Sequence, residues 1–143
     1  MKTILSKTSE DTFNLGRELG KKASGSLSIS LDGDLGSGKT TFTQGLAKGL
    51  AVSDKYIITS PTFTLINEYP AAPFTLYHLD LYRLGSYDEL SHIGFDELLG
   101  DNSIIVVEWP QILKENDFPF DLDIGFQFDA DYNRIITVTG AHF

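Results

Sequence analysis

The chain has 143 residues, the size of one domain, and its 41% hydrophobic content can bury a core while leaving no room for a second catalytic module. Twenty acidic residues against eleven basic ones give a formal charge of −9, which opposes direct attraction to nucleic acid or to anionic membranes. The absence of cysteine excludes disulfides and thiolate metal sites, and no apolar run reaches membrane-spanning length, so a cytoplasmic protein is expected.

Residues 1–7 contain only two adjacent apolar side chains, Ile4 and Leu5, far short of a signal-peptide core. Thr8 or Ser9 then caps a first helix, with Glu10 and Asp11 in its first turn and Phe13, Gly16, Leu19, Gly20 and Ala23 at helical spacing. Residues 26–31 alternate polar and apolar with the period of a strand.

That strand runs into Gly33, Asp34, Leu35, Gly36, Ser37, Gly38, Lys39 and Thr40, which fit the P-loop pattern G-x-x-x-x-G-K-[ST]. Glycines let successive N–H groups converge on phosphate oxygens, Lys39 supplies a point charge to the β- and γ-phosphates, and Thr40 offers a hydroxyl oxygen to Mg²⁺. Phe42, Leu46 and Leu50 recur every four residues and mark a helix starting where the motif needs one. The pattern predicts a bound nucleoside triphosphate.

Residues 51–60 are polar and weakly patterned, as in a mobile loop suited to a switch. Thr62, in the Ser60-Pro61-Thr62 segment that follows, has a hydroxyl that would sense the γ-phosphate or Mg²⁺; a capping or strand-edge role is the commoner one. Residues 63–69 and 74–81 read as two strands of a hairpin separated by Pro70 and Pro73. Short helical patterns occupy residues 88–90 and 95–99, and residues 104–107 form a β-branched run typical of a strand covered on both faces. Residues 120–129 alternate as a half-buried strand that pairs with residues 134–139 in a terminal antiparallel hairpin. The expected fold is α/β, a single P-loop NTPase-type domain over residues 1–143, with a mixed, mostly parallel sheet flanked by helices.

A P-loop needs a carboxylate at the end of a neighbouring strand to hold Mg²⁺ or orient water. Glu108, which ends the buried run, is the best candidate; Asp80 is the second, sharing a strand face with His78 and Tyr82. His78 reads as structural or surface polar; Arg83 would neutralise developing phosphate charge or, more commonly, pair with Glu89 or another acid; and Trp109 would cover the nucleotide site or anchor a partner, partly buried core being the commoner role of a lone tryptophan.

Taken together, GDLGSGKTTF, SPTFTLINEY, YHLDLYRL and VVEWPQ closely resemble the TsaE family, also called YjeE, over essentially the whole chain. The resemblance implies a bacterial ATPase required for threonylcarbamoylation of adenosine next to the anticodon, in tRNAs reading codons that begin with A. It implies that ATP hydrolysis supports repeated turnover of a TsaD–TsaB heterodimer supplied with threonylcarbamoyl-adenylate by TsaC, and that tRNA is met only through those partners. It also implies phosphate binding by Gly33 through Thr41, a switch role for Ser60-Pro61-Thr62, acidic metal and catalytic positions at Asp80 and Glu108, and a tryptophan beside the nucleotide at Trp109. Many relatives carry Glu where this chain has Gln111, so no carboxylate acts there.

The rival readings are a small-molecule or nucleotide kinase, a GTP-binding switch and a non-hydrolysing scaffold. Only Arg17, Arg83 and Arg134 are available to grip a second phosphorylated substrate, against a kinase. No guanine-reading Asn-Lys-x-Asp motif is present, against a GTP switch.

Overall fold

A computed structural model describes residues 1–61 and 63–140 of the chain. Its elements in chain order are β1 (Lys2–Ser6), α1 (Ser9–Lys22), β2 (Leu27–Asp32), α2 (Lys39–Gly49), β3 (Ile66–Ala71), β4 (Phe74–Asp80), α3 (Tyr87–His92), α4 (Phe95–Leu98), β5 (Ser103–Glu108), α5 (Gln111–Glu115), β6 (Leu122–Phe128) and β7 (Arg134–Gly140). The strands form one sheet in the order β1-β7-β6-β2-β5-β4-β3 among the described residues. Its centre is parallel, β2 pairing with β5 and β6, and β4 with β5, while β3, β7 and β1 are antiparallel additions at the edges. This is the expected mixed α/β sheet.

Helices cover both faces because strand residues alternate between them. Ile29 and Leu31 of β2 and Ile104 and Val106 of β5 pack with Leu19 of α1 and with Phe42 and Leu46 of α2. On the other face Leu79, Ile105 and Val107 pack with Leu90 of α3, Phe95 of α4 and Leu113 of α5. The stripe of Phe42, Leu46 and Leu50 is buried as its spacing predicts.

Glycine lets α1 and α2 approach closely. A Cβ on Gly45 would lie 1.9 Å from the carbonyl oxygen of Phe13, and one on Gly16 would lie 2.1 Å from that of Phe42. Thr8 caps α1, its hydroxyl accepting from the N–H of Asp11 at 3.1 Å. The contact between the helices fixes α2, and with it the loop that opens α2.

Three segments differ from the sequence expectation. β1 carries no legible pattern because it is an edge strand with Leu5 half-exposed and a serine, Ser6, as its buried residue. Pro70 does not end β3 but lies within it, opposite Thr75; β3 is an edge strand, where a missing N–H toward solvent breaks no ladder bond. Residues 51–60 are tied down rather than loose: Val52 is buried, Tyr56 meets Tyr69 edge-on at 6.0 Å, and the Gln44 amide donates to the Ile58 carbonyl at 3.0 Å. The terminal hairpin forms as expected, and β6 in addition joins the parallel core beside β2.

Candidate functional site

The loop between β2 and α2 turns on Gly36 and Gly38, whose φ angles of +80° and +110° would strain any other residue. The N–H of Ser37 closes the turn onto the Asp34 carbonyl at 3.1 Å. No side chain caps α2 at Gly38, so its first-turn N–H groups lack intrahelical partners and, with the helix dipole, favour an anion. Lys39 is only 5% exposed. Its ammonium donates to the Gly33 carbonyl at 2.7 Å, lies 3.9 Å from Glu108 Oε1 and sits 4.3 Å over the Trp109 ring.

Asp80 and Glu108 are register partners at the ends of the parallel strands β4 and β5, so their buried carboxylates stand side by side next to the loop. Asp80 Oδ1 accepts from the Tyr82 N–H at 3.0 Å, and Oδ2 accepts from the Ser60 hydroxyl at 3.3 Å. Glu108 Oε2 accepts from His78 Nε2 at 2.5 Å, and His78 is fully buried. Its Nδ1 has no partner among the described residues. His78 is therefore structural, but in a specific sense: it holds one oxygen of Glu108 and leaves the other toward Lys39.

Trp109 follows Glu108 with φ +54°, a left-handed conformation that is rare for a large side chain. Tyr82 packs on its ring at 4.9 Å between centroids.

These groups meet in a cleft of about 540 Å³. Leu35, Gly36, Gly38, Lys39, Thr40 and Thr41 line it from the loop and α2; Asp80, Glu108, Trp109, Tyr82 and Ser60 line the opposite wall. Gly33, Asp34 and Ser37 do not line it, but act through their backbone: Gly33 receives Lys39, Asp34 receives Ser37, and Ser37 is buried. Thr62 lies outside the described residues. Arg83 neither lines the cleft nor pairs with Glu89; its guanidinium stacks over Phe63 at 4.8 Å. Gln111 opens α5 and donates to Asp32 Oδ1 at 3.4 Å.

One lining residue escaped sequence reasoning except as an arginine to be counted. Arg134, first in β7, donates through Nε to the Ser37 carbonyl at 2.9 Å across 97 positions of chain. Nothing local in the sequence signals that contact.

Among the described residues no three His, Asp or Glu side chains gather as a metal centre. The available donors, the Thr40 hydroxyl and the Asp80 carboxylate, are hard oxygens that suit Mg²⁺ shared with phosphates of a ligand. Among the described residues no helix is long and apolar enough to cross a membrane.

A profile of the family described as "Threonylcarbamoyl adenosine biosynthesis protein TsaE" matches residues 6–136. The chain belongs to the TsaE family. It is 39% identical over 138 residues to the "tRNA threonylcarbamoyladenosine biosynthesis protein TsaE" of Aquifex aeolicus, covering 96% of each chain. It is 37% identical over 134 residues to the protein of that name from Treponema pallidum, covering 94% of this chain and 97% of the relative. The crystal structure of Bacillus subtilis YdiB superposes with a TM-score of 0.75 at 32% identity, covering 97% of this chain and 84% of that one. The span matched to TsaE includes every residue named above as lining the cleft, Arg134 among them.

Proposed function

We propose that this chain binds ATP with Mg²⁺ in the cleft and hydrolyses it in support of tRNA threonylcarbamoyladenosine formation, acting on a TsaD–TsaB transferase rather than on tRNA itself. One observation carries the nucleotide chemistry: a P-loop lysine and threonine converge with two buried carboxylates at the ends of adjacent parallel strands. The pathway is supported by family membership and by the printed names of the relatives. The partner and the adenine base rest on the resemblance described at the outset.

In this reading the loop amides and the N-terminus of α2 bind the phosphate chain, and Lys39 leaves the Gly33 carbonyl to neutralise charge on the β- and γ-phosphates. Thr40 and Asp80 would hold Mg²⁺, which when bound offsets charge on the phosphate oxygens. Glu108, fixed at Oε2 by His78, presents Oε1 to orient the attacking water. Water adds to the γ-phosphorus, the bond to the bridging oxygen breaks, and ADP and inorganic phosphate leave. Trp109 and Tyr82, packed ring to ring, form part of the wall against which the nucleotide would lie.

The test is ATP hydrolysis by the purified chain with Mg²⁺, alone and with the matching TsaD–TsaB pair, beside Lys39→Ala. Release of ADP and free phosphate, stimulated by the pair and abolished in the variant, is expected. Phosphate transferred to another acceptor would replace this reading with a kinase. Hydrolysis unchanged in Lys39→Ala would overturn the site.

A further inference from the structure

The segment from Ser60 to Leu65 is fastened to Asp80 at both ends. The Ser60 hydroxyl donates to Asp80 Oδ2 at 3.3 Å, and the Asp80 N–H donates to the Leu65 carbonyl at 3.0 Å. The Leu65 N–H closes the turn onto the Pro61 carbonyl at 3.0 Å, and the Asn67 amide ties its base by donating to the Thr59 carbonyl at 3.4 Å. Displacement of an arch bonded at both feet to one residue pulls on that residue, here on the Asp80 carboxylate. The crown of the arch faces solvent: Phe63 is 83% exposed, with the Arg83 guanidinium over its ring at 4.8 Å. No carboxylate among the described residues forms an ion pair with Arg83, and neither side chain lines the cleft.

A solvent-facing phenylalanine with a guanidinium on its ring has the make-up of an interface anchor, because aromatic and arginine side chains carry much of the binding energy once a partner desolvates them. Charge selects the kind of partner. Arg83 is the only Lys or Arg between Lys55 and Lys114, whereas Asp88, Glu89, Asp96, Glu97 and Asp101 follow it on the same stretch of chain, which opposes a nucleic-acid backbone. An apolar pocket bordered by a carboxylate, on a protein, complements both side chains. We propose that Phe63 and Arg83 are where the partner transferase grips this chain, and that the grip reaches Asp80 through the arch from Ser60 to Leu65. This rests on the partner reading above and gives it a contact surface and a route to the site.

The experiment is calorimetric titration of the matching TsaD–TsaB pair, and separately of unmodified tRNA, into the full chain, F63A and R83E, each with Mg²⁺ and a non-hydrolysable ATP analogue. Phosphate release from ATP is measured at saturating pair, and ADP affinity, basal hydrolysis and Tm are recorded for each chain alone. Both variants are expected to bind the pair about tenfold more weakly and to release phosphate about tenfold more slowly at saturating pair, with the properties of the chain alone unchanged. Loss of ADP affinity or of basal hydrolysis would overturn the inference by placing these side chains in the nucleotide site itself. Weaker binding with a normal rate at saturating pair would overturn the route to Asp80. Weaker binding of tRNA with normal binding of the pair would overturn the proposal in favour of an RNA contact. Should F63A not fold, R83E decides by the same criteria. A wild-type chain that neither binds the pair nor responds to it sinks the partner reading and this inference together, whereas a wild-type response matched by both variants sinks this inference alone.

Discussion

His78 and Glu108, both buried, share a hydrogen bond of 2.5 Å between Nε2 and Oε2. A carboxylate accepts, so Nε2 carries the hydrogen and the imidazole acts as a fixed donor. One Glu108 oxygen is thereby committed and the other is left 3.9 Å from Lys39. The pair sets the orientation of the carboxylate rather than its presence.

His78→Ala is accordingly expected to lower kcat for ATP hydrolysis by about a hundredfold, the scale of a misplaced catalytic group, with ADP affinity unchanged. Gln at position 78 carries an amide donor at a similar reach and should restore part of the rate. Steady-state kinetics alongside ADP titration checks both. Loss of rate and of ADP affinity together, with no rescue by Gln, would mark His78 as a packing residue only.

Trp109 is the only tryptophan, and the Lys39 ammonium lies 4.3 Å over its ring. A phosphate chain that draws Lys39 away removes a cation from the indole face. Titration with ADP should give a saturable change in tryptophan emission that is absent in Lys39→Ala. Binding detected by calorimetry with no change in emission would show that Lys39 stays where it is.

Gly45→Ala sets helix propensity against packing. Alanine gains roughly 1 kcal/mol in a helix interior. Its Cβ would stand 1.9 Å from the Phe13 carbonyl oxygen, however, and only separation of two backbones relieves that contact. Overpacking costs typically about 1–3 kcal/mol and here opposes rigid groups, so net destabilisation of roughly 2 kcal/mol is expected, with Tm lower by roughly 5 °C. Equal or greater stability by thermal unfolding would show that α1 and α2 can part freely.

Asp129 governs the turn that delivers Arg134 to the cleft. Desolvation raises its pKa, but hydrogen bonds from the N–H groups of Asn133 and Asp131 and from the Asn133 side chain outweigh it, so the carboxyl ends below 3.8. A pKa lower when folded than when unfolded stabilises the fold above the unfolded value and loses that stabilisation as pH falls through the folded one. Asp129→Asn should therefore lower Tm at neutral pH, with the gap from wild type closing as pH drops below 3.8. A gap independent of pH would assign the effect to turn geometry alone.

Local chemistry made half of this protein legible. The P-loop residues are contiguous, the helix after them has a clear stripe, and the β-branched run before Glu108 announces a buried strand, because each signal is written within one element. The acids were legible as candidates, since a strand end beside a P-loop is where such chemistry needs them. Their adjacency was not, because it depends on the parallel register that sets Asp80 beside Glu108.

The same register brings His78 to Glu108 across 30 positions, and the β6–β7 hairpin brings Arg134 to Ser37 across 97. β1 and the proline within β3 went unread for a related reason: an edge strand is exposed on one side and carries weak patterning and tolerates a missing donor. Sequence alone determined the loop, its helix and the type of sheet, all dictated by spacing within short segments. Only the tertiary structure decided which side chains meet around the loop, because strand order and register are settled by burying both faces of the sheet at once.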